Sequence, residues 1–339
     1  MKLESQPRVS VVTPFYNTAE YLAECIESVL AQTYTNFEYL LVNNKSTDGS
    51  REIAESYQKR DSRIRLIDNE EFVGMVENYN GAFGHIAADS KYVKMIQADD
   101  AAFPECLERL VAVAESEPTA GIVSSFWLWG NDLRGEAFDR NVRLIPGREA
   151  CRKTLLERRQ YTGSQTTVLY RADIVRKRKP FYALTHPFSD SDTAFEIMLE
   201  HDLGFVHQVL TFNRKDNDSV LKRVMGFHPL MLHFYLTMER YGALVLTPAE
   251  LAKARSEMRN EYYAYLASQL IRLQGSRFWA YHRAGLATLD QDVPWSAVAL
   301  RAAAELAKLV LNPESTLERT LPWFSRRVRQ VLKRPATEG

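Results

Sequence analysis

Between Val9 and Ser125, short apolar runs rich in β-branched residues alternate with stretches of helical periodicity, a pattern that few folds accommodate. Val9 to Thr13 reads as a buried parallel strand stopped by Pro14. Past the turn Phe15 to Thr18, a helix capped by Thr18 places Tyr21, Leu22, Cys25, Ile26, Val29 and Leu30 on one face. Phe37 to Val42 predicts a second strand, Asn43 to Gly49 a polar turn, and Ile53, Ala54 and Tyr57 the next helix. The series continues with a strand from Ile64 to Ile67, a helix from Met75 to Ile86, a strand opening at Tyr92, a helix from Pro104 to Glu117 and a strand from Gly121 to Ser125. Such alternation predicts an α/β class, a mostly parallel sheet with helices on both faces.

The strand opening at Tyr92 is the most informative of these. YVKMIQADD is apolar enough to be buried, yet it ends in the adjacent carboxylates Asp99 and Asp100, which are costly to bury without a cation or hydrogen-bond partners. Open α/β sheets bind ligands at the carboxyl ends of their strands, and hard divalent cations prefer carboxylate oxygens. The pair therefore points to a metal-assisted site for a phosphorylated ligand. Asp residues before a helix that starts with Pro also serve as caps and turn residues, and local sequence does not separate the two roles.

Composition narrows the rest. A chain of 339 residues with 45% hydrophobic content can bury a large core, and 43 basic against 43 acidic residues give no argument for a nucleic-acid partner. Cys25, Cys106 and Cys151 are widely spaced and form no CxxC pair, which fits a reducing compartment better than a disulfide or zinc scaffold. No secretory signal is read in MKLESQPRVSVV, and the segment Ala297 to Leu311 is too short and too charged to span a bilayer. The expected location is the cytoplasm. The stretch Trp323 to Lys333, WFSRRVRQVLK, has the pattern of a basic amphipathic helix, which predicts either peripheral contact with the inner face of an anionic membrane or a solvated terminal helix.

After Phe126 the alternation lapses. Trp127 to Gly130 is expected to enter a polar loop reaching about Pro146, with strands at Thr166 to Tyr170 and Phe205 to Phe212, and a helix opened by Ser189 to Asp192. From Pro229 onward the pattern is helical. The expected organisation is a domain over 1–225, divided near residue 125, followed by a helical region over 226–339.

Taken in order, VSVVTPFYNTAEYLAECIESVLAQTYTNFEYLLV, the STDGS turn and the segment MIQADD resemble the family 2 glycosyltransferases, which have the GT-A fold. The resemblance covers residues 8–125 strongly and residues 160–220 weakly. It implies a Rossmann-like GT-A domain with a helical C-terminal extension. It also implies an inverting transferase that uses Mg²⁺ or Mn²⁺ to move a sugar from a nucleotide-sugar donor to a glycan or lipid-linked acceptor, as in surface polysaccharide synthesis. The matching donor-binding positions are Pro14, Tyr16, Asn43, Asn44, Asp48, Asn80 and Asp99. Asp100 would ligate the metal, and Asp216 occupies the place of a histidine that often adds a metal contact. Asp190 matches the catalytic base, with Asp192 as the alternate; both residues also suit a helix N-terminus.

This chain departs from the family pattern at Asn43 and Asn44, which replace two carboxylates, at Lys45, which replaces a glycine, at Gln97, which replaces the leading acid, and at Tyr79, where arginine is common. The departures keep a second reading open, a GT-A scaffold that binds nucleotide-sugar or glycan without catalysis. A nucleotidyltransferase is a third reading, which lacks support because no Gly-rich triphosphate loop follows the first strand.

Overall fold

The computed structural model describes residues 6–135, 139, 141–183, 188–215 and 225–311. Asp216 and the basic stretch Trp323 to Lys333 lie outside the described residues. The chain divides into two compact units, Met1–Pro229 with Thr237–Leu251, and Leu230–Leu236 with Ala252–Gly339.

In the first unit, β1 (Val9–Phe15), α1 (Ala19–Leu30), β2 (Phe37–Asn43), α2 (Ser50–Gln58), β3 (Ile64–Asp68), α3 (Met75–Phe83) and β4 (Tyr92–Met95) realise the predicted alternation. Then follow β5 (Ala101–Ala102), α4 (Cys106–Ser116), β6 (Ala120–Trp129), β7 (Asp132–Arg134), β8 (Leu144–Ile145), α5 (Gly147–Glu157), β9 (Leu169–Arg171), α6 (Ala172–Lys177), α7 (Ser189–Glu200) and β10 (Asp202–Asn213). The ten strands belong to one mixed sheet whose main path runs β3-β2-β1-β4-β9-β6-β10-β5, with β7 paired to β6 and β8 to β10. The first four are parallel, β9 is antiparallel to both its neighbours, and β6 and β10 are parallel to each other.

Every residue of β1 and β2 is buried, as expected for parallel strands covered on both faces. On one face Val9, Val11, Tyr39 and Leu41 pack with Leu22, Cys25 and Ile26 of α1, Ala54 of α2 and Leu110 of α4. The three cysteines are buried free thiols.

Four local expectations are corrected. Pro14 does not stop β1, which runs on to Phe15. The run from Tyr92 leaves the ladder after Met95, so Asp99 and Asp100 stand in a turn beyond the strand. Trp127 to Trp129 extend β6, because the hairpin strand β7 supplies their hydrogen-bond partners. Finally, Thr18 makes no side-chain capping bond; the Asp48 carboxylate, reaching across from the second turn, accepts from Ala19 N at 2.9 Å.

Two helices follow, α8 (Pro229–Val245) and α9 (Pro248–Ile271), then α10 (Ser276–Ala287) and α11 (Trp295–Leu311). The second unit has its own aromatic core, in which Tyr235 stacks on Tyr262 at 4.7 Å and the Tyr262 hydroxyl hydrogen-bonds Nδ1 of the buried His282 at 2.9 Å. None of the described helices is long and apolar enough to cross a membrane.

Candidate active site

The site begins where β1 and β4 part. Their ladder ends with Ile96 N donating to Val12 O at 3.0 Å. The next rung would require an N–H at residue 14, which proline lacks. The Ile96 carbonyl is instead taken by the Thr13 hydroxyl at 2.8 Å. The ladder is thus closed off by a side chain just where the strand order turns, β2 lying on one side of β1 and β4 on the other. At such a switch point α/β sheets bind ligands in the crevice outside the carboxyl ends of the strands.

The two acids beyond β4 differ sharply. Asp100 is 3% exposed, and its Oδ2 accepts from Thr166 Oγ1 at 2.5 Å and Asn213 Nδ2 at 2.7 Å, while Oδ1 accepts from Arg214 N at 2.9 Å. Burial and then the neighbouring Asp99 charge push its carboxyl up to about 7. Asp99 is half-buried, and its main-chain carbonyl is held by Arg214 Nε at 3.0 Å. The Asp100 oxygens serve three protein donors, and Asp99 is the more accessible of the two. Among the described residues no group of three or more His, Cys, Asp or Glu side chains gathers as a cation cage. A hard cation held by one carboxylate and completed by substrate phosphates fits this donor set.

In the turn after β1, Tyr16 is exposed and in contact with the exposed Phe72, with ring centroids 4.8 Å apart. Below them Asn43 and Asn44 are each 3% exposed and committed to the protein. Asn43 donates to Asp68 Oδ1 at 2.7 Å and accepts from Ser46 N at 3.0 Å. Asn44 donates to Val73 O at 2.8 Å, and its carbonyl accepts from Val73 N and Asn69 Nδ2, both at 3.0 Å. Replacing carboxylates by amides lets these positions donate as well as accept, and here the donors fasten the turns after β2 and β3.

Asp48 ties two helix starts together, accepting from Ala19 N and from Ser50 N at 3.0 Å. Burial pushes its carboxyl up, but the hydrogen bonds from Ser50 and Ala19 outweigh that and hold it below the ordinary range. Lys45 keeps the left-handed backbone, φ +60°, that the family glycine supplies without strain. The Asn80 amide exchanges two hydrogen bonds of 2.8 Å with the main chain of Tyr182.

Helix α7 begins with Ser189, Asp190, Ser191 and Asp192. The two acids separate in the structure. Asp192 is buried and paired with Arg240 of α8 at 2.5 Å. Asp190 is half-buried and accepts from Ser191 N at 2.8 Å. Burial raises the Tyr79 phenol above its ordinary range, and the charges of Asp99, Asp190 and Asp100 raise it further. The resemblance offered no role for Tyr79, Thr166 or Asn213. Their only sequence signal was the replacement of arginine at Tyr79, because the contacts of Thr166 and Asn213 with Asp100 close over 66 and 113 residues.

Likeness to known proteins establishes the family and the fold. Residues 10–183, just over half of the chain, match the model of glycosyl transferase family 2. The chain belongs to that family. Among the relatives of this family 2 glycosyltransferase is glycosyltransferase GlyG of Streptococcus pneumoniae, 33% identical over 119 residues, which are 35% of this chain and 39% of GlyG. The curated relatives are matched over 31% to 78% of their own lengths. Among solved structures, Staphylococcus aureus TarS 1-349 in complex with UDP-GlcNAc superposes with a TM-score of 0.61 at 19% identity, covering 86% of this chain and 83% of that one. A mannosyltransferase of Pyrobaculum calidifontis in complex with GDP-Man and Mn²⁺ gives a TM-score of 0.53 at 18% identity, covering 97% of this chain and 88% of that one. The fold is GT-A.

Proposed function

We propose that this family 2 protein is an inverting glycosyltransferase that moves a sugar from a nucleoside-diphosphate sugar to a hydroxyl of a glycan or lipid-linked acceptor. The observation that supports the reading is the burial contrast within each acid pair: Asp99 and Asp190 are half-buried, while Asp100 and Asp192 are buried and held by protein partners. Tyr16 stacks the donor base, Asp99 faces the diphosphate, and Asp190 takes the proton from the acceptor hydroxyl. The acceptor oxygen bonds to the anomeric carbon as the bond to the phosphate oxygen breaks on the opposite face, which inverts the configuration. Asp99 would hold a divalent cation, which when bound would neutralise charge on the departing diphosphate. The UDP-GlcNAc and GDP-Man complexes of the two structural neighbours support a nucleoside diphosphate sugar as donor, and the Mn²⁺ of the second supports the cation. Synthesis of surface polysaccharide beside a membrane is the setting we propose for it.

Calorimetric titration with UDP, GDP, dTDP and CMP, with and without Mn²⁺, tests the donor half. One diphosphate should bind in a metal-dependent way, and Asp99→Asn should remove that dependence. Binding by none of the four overturns the reading in favour of a non-catalytic scaffold. Tyr16→Ala should weaken the same nucleotide by about tenfold, since a base stacked on an aromatic ring is worth roughly 1–3 kcal/mol. Unchanged affinity would remove Tyr16 from the base site.

A further inference from the structure

Strand β4 carries a lysine in its middle. Lys94 is 0% exposed, and its Nζ donates to two main-chain carbonyls, that of Thr166 and, at 3.2 Å, that of Val168. Among the described residues no carboxylate pairs with it directly, and burial pushes the amine down to about 8. An ammonium in such a place is costly, so its partners deserve an explanation.

The ladder between β4 and β9 ends at the pair Lys94 and Leu169. Beyond it, segments 95–97 and 166–168 are joined through side chains. Lys94 reaches past the last rung to the carbonyls of Val168 and Thr166. Thr166 Oγ1 in turn accepts from Gln97 N at 3.1 Å and donates to Asp100 Oδ2 at 2.5 Å. One continuous path therefore runs from the buried amine to the main chain at Thr166, to its hydroxyl, and to the carboxylate beside Asp99. Asp100 N donates back to Gln97 O at 3.0 Å, closing the turn that carries both acids.

We propose that Lys94 is a positioning residue for the donor site: by fixing the main chain at Thr166 it places the hydroxyl that orients Asp100, and so sets the turn that presents Asp99 to the diphosphate. The inference rests on the reading of Asp99 as the diphosphate-facing carboxylate. Lys94 touches neither donor nor acceptor in this scheme. It acts through Thr166.

The test is a double-mutant cycle on the full chain, using Lys94→Met, Thr166→Val and the pair, read as affinity for Mn²⁺ with UDP or GDP, whichever wild type binds. Each single variant should weaken binding by about tenfold, as loss of a supporting contact behind a metal site does, and the pair should be no weaker than the worse single. Thr166→Ser, which keeps the hydroxyl, should stay within about twofold of wild type, and the matching nucleoside monophosphate should bind all variants alike. A lysine that only stabilises the sheet predicts a lower melting midpoint with diphosphate affinity unchanged well below it, and that result overturns the proposal. Additive losses in the cycle overturn it as well. Should Lys94→Met fail to fold, Lys94→Arg takes its place in the same cycle with Thr166→Val, and additivity there is equally decisive. Wild-type protein that binds no diphosphate would instead bring down the donor-site reading, a different failure from unchanged affinity in the Lys94 variant.

Discussion

Asp190→Asn should lower the rate of sugar transfer by about 10³-fold, within the range that a positioned general base contributes, and leave diphosphate affinity within about twofold. The substitution keeps the side chain's shape and its acceptor for Ser191 N, but the amide has no basic lone pair to take the acceptor proton. Rate and binding should therefore separate. Donor turnover followed by release of the nucleoside diphosphate, with calorimetry on the same preparation, reads both. Transfer that survives in Asp190→Asn would end the assignment of the base, and loss of donor binding would show that Asp190 is needed for the shape of the crevice.

The comparison of Asp190 with Asp192 shows what one-dimensional reading can and cannot resolve. The motif SDSD places two acids in one helical turn, and sequence alone allowed either to face the crevice. What distinguishes them is Arg240, 48 residues later. The same holds at Asp99 and Asp100, where the cage around the second acid comes from Thr166, Asn213 and Arg214. The parallel half of the sheet was legible because strands buried on both faces read as mainly apolar runs, as in VSVV and FEYLLV, broken only by the buried Ser10 and Glu38. By contrast, the strand expected over Thr166 to Tyr170 is reduced to the three residues of β9, Leu169–Arg171, whose limits are set by its antiparallel partners in β4 and β6. Trp127 to Trp129 looked like the start of a loop because their pairing partner, Asp132 to Arg134, is too short and too polar to read as a strand. Asn80 was assigned a donor contact by resemblance, and only the fold reveals that Tyr182, 102 residues away, takes both ends of its amide.

Arg240→Met should destabilise the protein by roughly 3–5 kcal/mol, because it leaves the Asp192 carboxylate buried without its cation. The side chains are 8% and 26% exposed, so water does little to compensate the lone charge. Asp192→Asn combined with Arg240→Met should recover much of that loss, since a neutral pair has no buried charge to leave uncompensated. Urea unfolding of the three proteins measures this, and a single variant within about 0.5 kcal/mol of wild type would show that the pair contributes no more than a surface contact. The consequence for the site is indirect. Other contacts also bind α8 to α7: Tyr241 stacks on Phe195 at 5.0 Å, and its hydroxyl donates to Glu196 at 2.6 Å. With these in place, the double variant should keep α7 docked and Asp190 in position. Near-normal transfer by the folded double variant would then assign Asp192 to stability, leaving Asp190 as the one acid of the SDSD turn that serves the reaction.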